Sequence, residues 1–376
     1  MGWYGNGNAG DEAVLAGILC QLGARFRSAE VTVFGDRPDE TKQRHGVASV
    51  WSLPWRLRQL ASPPRVWRWR TTAESLAALM RTDLCLIGGG GIVADHSPRT
   101  VQCWCRRIAL ARRLAGCAAV YGVGVEPLAR PESRALVRRT LAGLPLVTVR
   151  DEESAVELAR CGIRRNVFVH GDPAMSVEPS IEKAPPEWTE RMRGAVAVCP
   201  VGRYTGAVRE QYVRRLVEGV ETFQQQDGNA PPVVLAAMMP NDDFMAPALS
   251  RLPGYRGVVP LYRWHPMTVA GLLGQARVVV GSRLHSLILA SLSQVPLVPV
   301  IYDIKVASFA RRLGIEAGAV AFGDGMVWRR EMFDPEALSV SLRAVTHGRI
   351  GYTMQTVGRL RAQVEAQADR LAELFD

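Results

Sequence analysis

The chain has 376 residues, 48% of them hydrophobic, enough to bury the cores of two or three domains; its formal net charge is +10, supplied mostly by arginine. That balance favours anionic partners such as phosphorylated metabolites or lipid head groups, and the absence of any nucleic-acid-binding motif sets DNA and RNA aside. The seven cysteines are odd in number and scattered, which argues against a disulfide framework, and the one close pair, Cys103 and Cys105, has no second pair to complete a zinc site.

No signal peptide is recognisable and no uninterrupted apolar run reaches membrane length, so a cytoplasmic protein is expected, with a peripheral position on the inner face of the membrane also open. Met1-Gly2 matches the start of a myristoylation signal, but Asn6 stands where Ser or Thr is wanted.

The chain opens on a glycine-rich turn from Gly2 to Gly10, then a helix over Ala13 to Leu22. Glycine lets backbone approach a ligand closely and a helix N-terminus attracts anions, so Gly10 is a candidate contact. Asp11 can act as a general base or simply favour the positive end of its helix; Glu12 suits the second role. The spacing is not the dinucleotide fingerprint. A strand ordinarily precedes such a turn and none is readable; either the first sheet lacks a strand or, as expected here, translation starts further upstream. Val31 to Phe34 reads as a strand. Between Trp51 and Arg70, Trp51, Trp55, Trp67 and Trp69 interleave with arginines. That composition suits a lipid–water boundary or the wall of an acceptor site, and equally an ordinary helix interrupted by Pro63-Pro64.

Leu84 to Ile87 is a strand running into Gly88-Gly89-Gly90-Gly91, where Gly89 and Gly90 imply close approach of a ligand or of another backbone segment. Ala118 to Val125 is a strand and turn. Leu146 to Val149 is a strand that delivers Arg150, and Asp151 is set to cap the helix running to Cys161. Arg150 either binds an anion or pairs with Asp151 or Glu153. Val167 to His170 closes the first half, and the Pro- and Glu-rich stretch 177–193 reads as a connection.

Strand and helix alternate again afterwards: strand over 195–199, helix over 208–226, strand over 233–239, helix over 266–275 and strand over 277–280. Gly281-Ser282-Arg283-Leu284-His285 then feeds a helix over 286–294, and Leu297 to Ile301 is a strand followed by Lys305 at the start of a helix. Open α/β sheets bind ligands outside the carboxyl ends of their strands. Arg283, His285 and Lys305, with the Ser282 hydroxyl beside them, therefore form a candidate site for a small molecule bearing phosphate and carboxylate. Each alone also fits an ion pair or a helix cap. The fold class expected is α/β: two doubly wound Rossmann-like domains facing a cleft, GT-B-like, the first over 1–178 and the second over 194–350. An amphipathic helix over 355–376 ends the chain, with a return to the first domain open to it.

Taken in order, Gly5 to Glu12, Gly88 to Gly91, Tyr121 to Gly124, Val149 to Ser154, Asp172 to Ala174, Gly281 to His285 and Tyr302 to Val306 resemble the polysaccharide pyruvyl transferase family. Within it they resemble the branch that modifies secondary cell-wall polymers for S-layer attachment. The resemblance implies a GT-B type enzyme that moves the enolpyruvyl unit of phosphoenolpyruvate onto a sugar as a ketal and releases phosphate, without organic cofactor. It implies donor contacts for Arg150, His285 and Lys305, and an acceptor of N-acetylmannosamine within a lipid-linked precursor. The first domain is then the acceptor side and the second the donor side. Chemistry assigns Arg150 and Lys305 to the donor's anionic groups with Arg283 as helper, His285 to phosphate binding or proton donation, and Asp11 to the base. Two features depart from the family pattern: no strand precedes the first motif, and Ile304 stands where proline is common. Two alternatives are a GT-B glycosyltransferase using a nucleotide sugar and a non-catalytic protein that binds anionic polymer or membrane.

Overall fold

The computed structural model describes residues 1–54, 65–95, 98–227, 230–322 and 333–375. They form two compact units, one of Met1–Asn6, Val14–Ser176 and Arg361–Asp376, the other of Gly7–Ala13 and Val177–Leu360.

The first unit contains β1 (Thr32–Gly35), β2 (Ala48–Trp51), β3 (Leu84–Gly88), β4 (Cys117–Val123), β5 (Val147–Val149) and β6 (Val167–Val169). β1 pairs with β2, and β3-β4-β5-β6 form a second sheet; every pair is parallel. Between the two, Met1 to Tyr4 run in the position of a strand. The Met1 ammonium donates to Leu86 O at 2.6 Å and Gly88 N donates to Met1 O at 2.9 Å, while on the other side Asp36 N donates to Tyr4 O at 2.9 Å. Counting these residues, the order is β2, β1, residues 1–4, β3, β4, β5, β6, a doubly wound sheet. Parallel strands need crossovers, here the helices Ala9–Arg25, Pro38–His45, Arg65–Met80, Pro98–Leu114, Pro131–Leu141 and Glu152–Arg160. Pro38 and Pro131 open their helices, where the missing N–H costs nothing. Asp151 caps the last, accepting from Ser154 N at 2.9 Å.

Of the Trp- and Arg-rich stretch, Trp55 to Pro64 lie outside the described residues. Trp51 ends β2, and Trp69, 57% exposed, lies on the helix Arg65–Met80. Among the described residues no helix is long and apolar enough to cross a membrane.

The second unit contains β7 (Val196–Cys199), β8 (Val233–Ala237), β9 (Tyr255–Pro260), β10 (Val278–Gly281), β11 (Leu297–Ile301) and β12 (Val320–Ala321), in the order β12-β11-β10-β7-β8-β9, all parallel. Every residue of β7, β8 and β10 is buried, as expected for strands covered on both faces. The helix Gly206–Gln226 packs on Pro335–Thr346 so closely that a Cβ on Gly219 would come within 2.7 Å of Leu338. The winding reverses between β7 and β10, and an open sheet leaves its binding crevice at such a reversal.

Candidate functional site

The carboxyl ends of β7 and β10 are tied together at that reversal. Ser282 N donates to Cys199 O at 3.0 Å. Tyr212, buried on the helix Gly206–Gln226, places its Oη 2.5 Å from Ser282 Oγ and accepts from Val201 N at 3.2 Å. Arg283 follows. Its Nε donates to Asp242 Oδ2 at 2.8 Å and to Pro200 O at 3.1 Å, and its Nη2 donates to Asp242 Oδ1 at 2.5 Å. Asp242 is fully buried and also accepts from Met238 N and Met239 N at 3.1 and 2.9 Å. A bidentate guanidinium–carboxylate pair has fixed geometry, so Arg283 locks the turn after β10 to the turn after β8. Two of its three nitrogens are thereby committed to the protein.

The first turn of the helix Ala9–Arg25 belongs to the same unit. Ala9 N donates to Met238 O at 3.0 Å, which ties it to the end of β8. Asn8 Oδ1 accepts from Gly10 N at 3.0 Å, and Asn8 Nδ2 donates to Asp11 Oδ2 at 2.6 Å. The imidazole of His285, from the helix Leu284–Ser291, lies against Gly10, where a Cβ would come within 2.3 Å of Nδ1. That close approach, and not a turn, is what demands glycine. Burial raises the Asp11 carboxyl to about 6, with Glu12 pushing the same way and His285, Asn8 and Arg283 opposing. Asp11 is thus a partly exposed acid near neutrality within electrostatic reach of an imidazole, a pairing suited to proton transfer.

Lys305 stands at the end of the neighbouring strand, β11. Its Nζ is 3.1 Å from Asp303 Oδ2 and 5.8 Å from the centre of the Tyr302 ring. Asp303 caps the helix Ile304–Leu313, accepting from Lys305 N at 3.3 Å, and meets a second cation, Arg203 Nη1, at 3.5 Å. Arg203 comes from the loop after β7.

Arg150 lies in the first unit, buried at the end of β5. Its Nε donates to Asp151 Oδ2 at 3.1 Å and its Nη1 is 3.9 Å from Asp172 Oδ2. Burial works against the charge, but Asp151 and Asp172 outweigh it and hold the guanidinium above its ordinary pKa. The group lies flat on Gly124, where a Cβ would come within 2.4 Å of Cζ. Gly89 and Gly90 both have positive φ, 74° and 70°. A Cβ on Gly89 would meet Val14 Cγ1 at 1.8 Å, so the helix Ala9–Arg25 is the close neighbour there.

The fold brings Gly10, Asp11, Ser282, Arg283 and His285 together in the second unit and sets Lys305 at the end of the next strand; Arg150, Gly89 and Gly90 belong to the first. Asp242, Tyr212, Asp303 and Arg203 were not singled out by sequence. Asp242 carried one usable signal, an acidic pair just after a buried strand. Among the described residues no group of three His, Cys, Asp or Glu side chains is placed to hold a metal ion.

Similar folds occur in the UDP-GlcNAc 2-epimerase from Neisseria meningitidis bound to UDP-GlcNAc (TM-score 0.60, 9% identity, covering 97% of this chain and 96% of that one). The UDP-GlcNAc 2-epimerase from Methanocaldococcus jannaschii gives a TM-score of 0.57 at 12% identity, over 90% and 91% of the two chains. The glycotransferase of kitacinnamycin gives 0.51 at 14% identity, over 100% and 96%. At such identities the likeness shows the fold alone, the α/β class with parallel sheets expected from the sequence. Among curated proteins none matches the sequence. The family model for polysaccharide pyruvyl transferase matches residues 8–304, a span that takes in the Asp11 turn, Arg150 and the turn from Gly281 to His285. The chain belongs to the polysaccharide pyruvyl transferase family.

Proposed function

We propose that this protein transfers the enolpyruvyl unit of phosphoenolpyruvate onto two hydroxyls of one sugar, forming a pyruvate ketal and releasing phosphate. The acceptor is N-acetylmannosamine in a lipid-linked precursor of the cell-wall polymer that anchors an S-layer, and the reaction runs in the cytoplasm at the inner face of the membrane. One observation carries the mechanism: the Asp11 carboxyl, raised to about 6, shares its surroundings with His285 at strand ends that also present Lys305.

The atoms balance without any redox step. The enol carbon gains a proton, the neighbouring carbon gains two bonds to sugar oxygens, and its bond to the phosphate oxygen breaks. Of the two hydroxyl protons, one is matched by the proton on the enol carbon and the other leaves with phosphate. Asp11, mostly ionised at neutral pH, takes a hydroxyl proton. His285 supplies the proton to the enol carbon or steadies the departing phosphate. Lys305 and Arg150 bind the donor's anionic groups, and Arg283 helps chiefly by holding the turn that carries His285. Ser282, Gly10, Gly89 and Gly90 are substrate contacts.

The test is phosphate release from phosphoenolpyruvate with a synthetic lipid-linked acceptor, with the product checked by mass. Release coupled to a ketal on the acceptor supports the reading. Binding of UDP or GDP with no response to phosphoenolpyruvate means a glycosyltransferase. Liposome association that survives His285→Ala and Lys305→Ala, with no phosphate released, means a non-catalytic binder.

A further inference from the structure

Arg283, the arginine expected to help hold the donor, has its Nε and Nη2 committed to Asp242 and Pro200. Phosphoenolpyruvate carries a phosphate and a carboxylate, and one lysine ammonium is a single point charge with no fork geometry. A further guanidinium is therefore wanted in the second unit, and Arg203 is placed to supply it. It leaves the loop after β7, the strand at which the winding reverses, and reaches the carboxylate that holds Lys305. Asp303 thus meets two cations through the same oxygen, Oδ2, at 3.1 Å from Lys305 and 3.5 Å from Arg203. The arginine contact is longer than a hydrogen bond, and its side chain is 36% exposed against 10% for the aspartate. Both cations lie within 3.5 Å of one oxygen, so a single small dianion can meet them together. The surroundings hold the loop in place: Tyr204, the next residue, packs its ring 5.1 Å from Tyr212 and 6.5 Å from Tyr302.

We infer that Arg203 is a donor-binding residue, turning from Asp303 to an anionic group of phosphoenolpyruvate and working as a pair with Lys305. Asp303 is the positioning carboxylate that presents both. The inference rests on the reading of Lys305 as a donor ligand, and the experiment separates the two.

Equilibrium binding of phosphoenolpyruvate, and separately of inorganic phosphate, is measured on the full chain and on Arg203→Ala, Arg203→Lys, Asp303→Asn and Lys305→Ala, each checked for an unchanged melting transition. A charge-assisted contact to an anion supports a loss of about tenfold or more in affinity. Arg203→Ala should weaken phosphoenolpyruvate by that factor, Arg203→Lys should recover part of it, and donor KM should rise with little change in acceptor KM. Asp303→Asn should alter donor affinity through both cations. Wild-type affinity in Arg203→Ala with a weakened Lys305→Ala overturns the inference and leaves the proposed function standing. Equal affinity in all variants, or no binding by the wild type, overturns both. If Arg203→Ala melts early, Arg203→Lys decides alone: affinity below wild type at an unchanged melting point supports a guanidinium contact, and wild-type affinity refutes it.

Discussion

Asp11→Asn removes the charge that the folded site disfavours and leaves the shape of the side chain. A carboxyl held at about 6 in place of 3.8 disfavours the ionised folded state by about 3 kcal/mol at face value, each pH unit being worth about 1.4 kcal/mol. Asp11 is partly exposed, so solvent screening lowers this to about 1–2 kcal/mol. The sign follows from linkage. The folded state binds the proton more tightly than the unfolded chain, so the contribution of Asp11 is fully favourable below 3.8 and is lost as pH rises through about 6. Asparagine has no such dependence. The stability difference between variant and wild type should therefore be near zero at about pH 4, open through pH 6, and reach about 1–2 kcal/mol in favour of the variant by pH 8. For a unit of this size that is a rise of roughly 2–8 °C in melting temperature. Over the same range the wild-type rate of phosphate release should fall as pH drops below about 6, and the variant should lose about a hundredfold or more at every pH if Asp11 is the base. Thermal melts across the pH series, run beside the phosphate-release assay, read both quantities. A variant no more stable at pH 8 refutes the burial argument, and one that keeps half the wild-type rate removes Asp11 from the chemistry.

Asp242→Ala leaves the Arg283 guanidinium without its carboxylate and two backbone N–H groups without an acceptor; a loss of about 3–5 kcal/mol is expected in urea denaturation. Gly10→Ala sets a Cβ within 2.3 Å of His285 Nδ1, so the ring must move; stability should fall by about 1–3 kcal/mol and turnover far more than stability alone explains. Gly124→Ala does the same to Arg150, whose Cζ lies 2.4 Å from the new atom. Donor KM should rise, and an unchanged KM would take Arg150 out of the donor site. Lys305→Ala should raise donor KM or abolish turnover at an unchanged melting temperature, since Asp303 keeps Arg203 as a cation at 3.5 Å.

Local features of the fold were readable because they depend on neighbours in sequence. The run Val278-Val279-Val280 is β-branched and uncharged, and it forms a strand buried on both faces. Asp151, three residues before Ser154, caps its helix as its type and position require. The turn from Gly281 to His285 follows a strand and starts a helix, and that is where the sheet reverses its winding. By contrast, no pattern in residues 1–4 marks a strand, because their role rests on backbone hydrogen bonds to Leu86, Gly88 and Asp36. Those partners are chosen by the sheet.

From sequence alone came the residue types: an arginine-rich chain, alternating strands and helices, and a histidine, an arginine and a lysine at strand-to-helix turns. Tertiary structure decided what each of them faces. It turned Arg283 toward Asp242, set Ser282 against Tyr212, gave Lys305 and Arg203 one carboxylate to share, and laid His285 on Gly10 beside Asp11. The reason is that a side chain's charge state and free hydrogen-bonding capacity depend on neighbours within a few ångströms, and parallel crossovers draw those neighbours from distant parts of the chain.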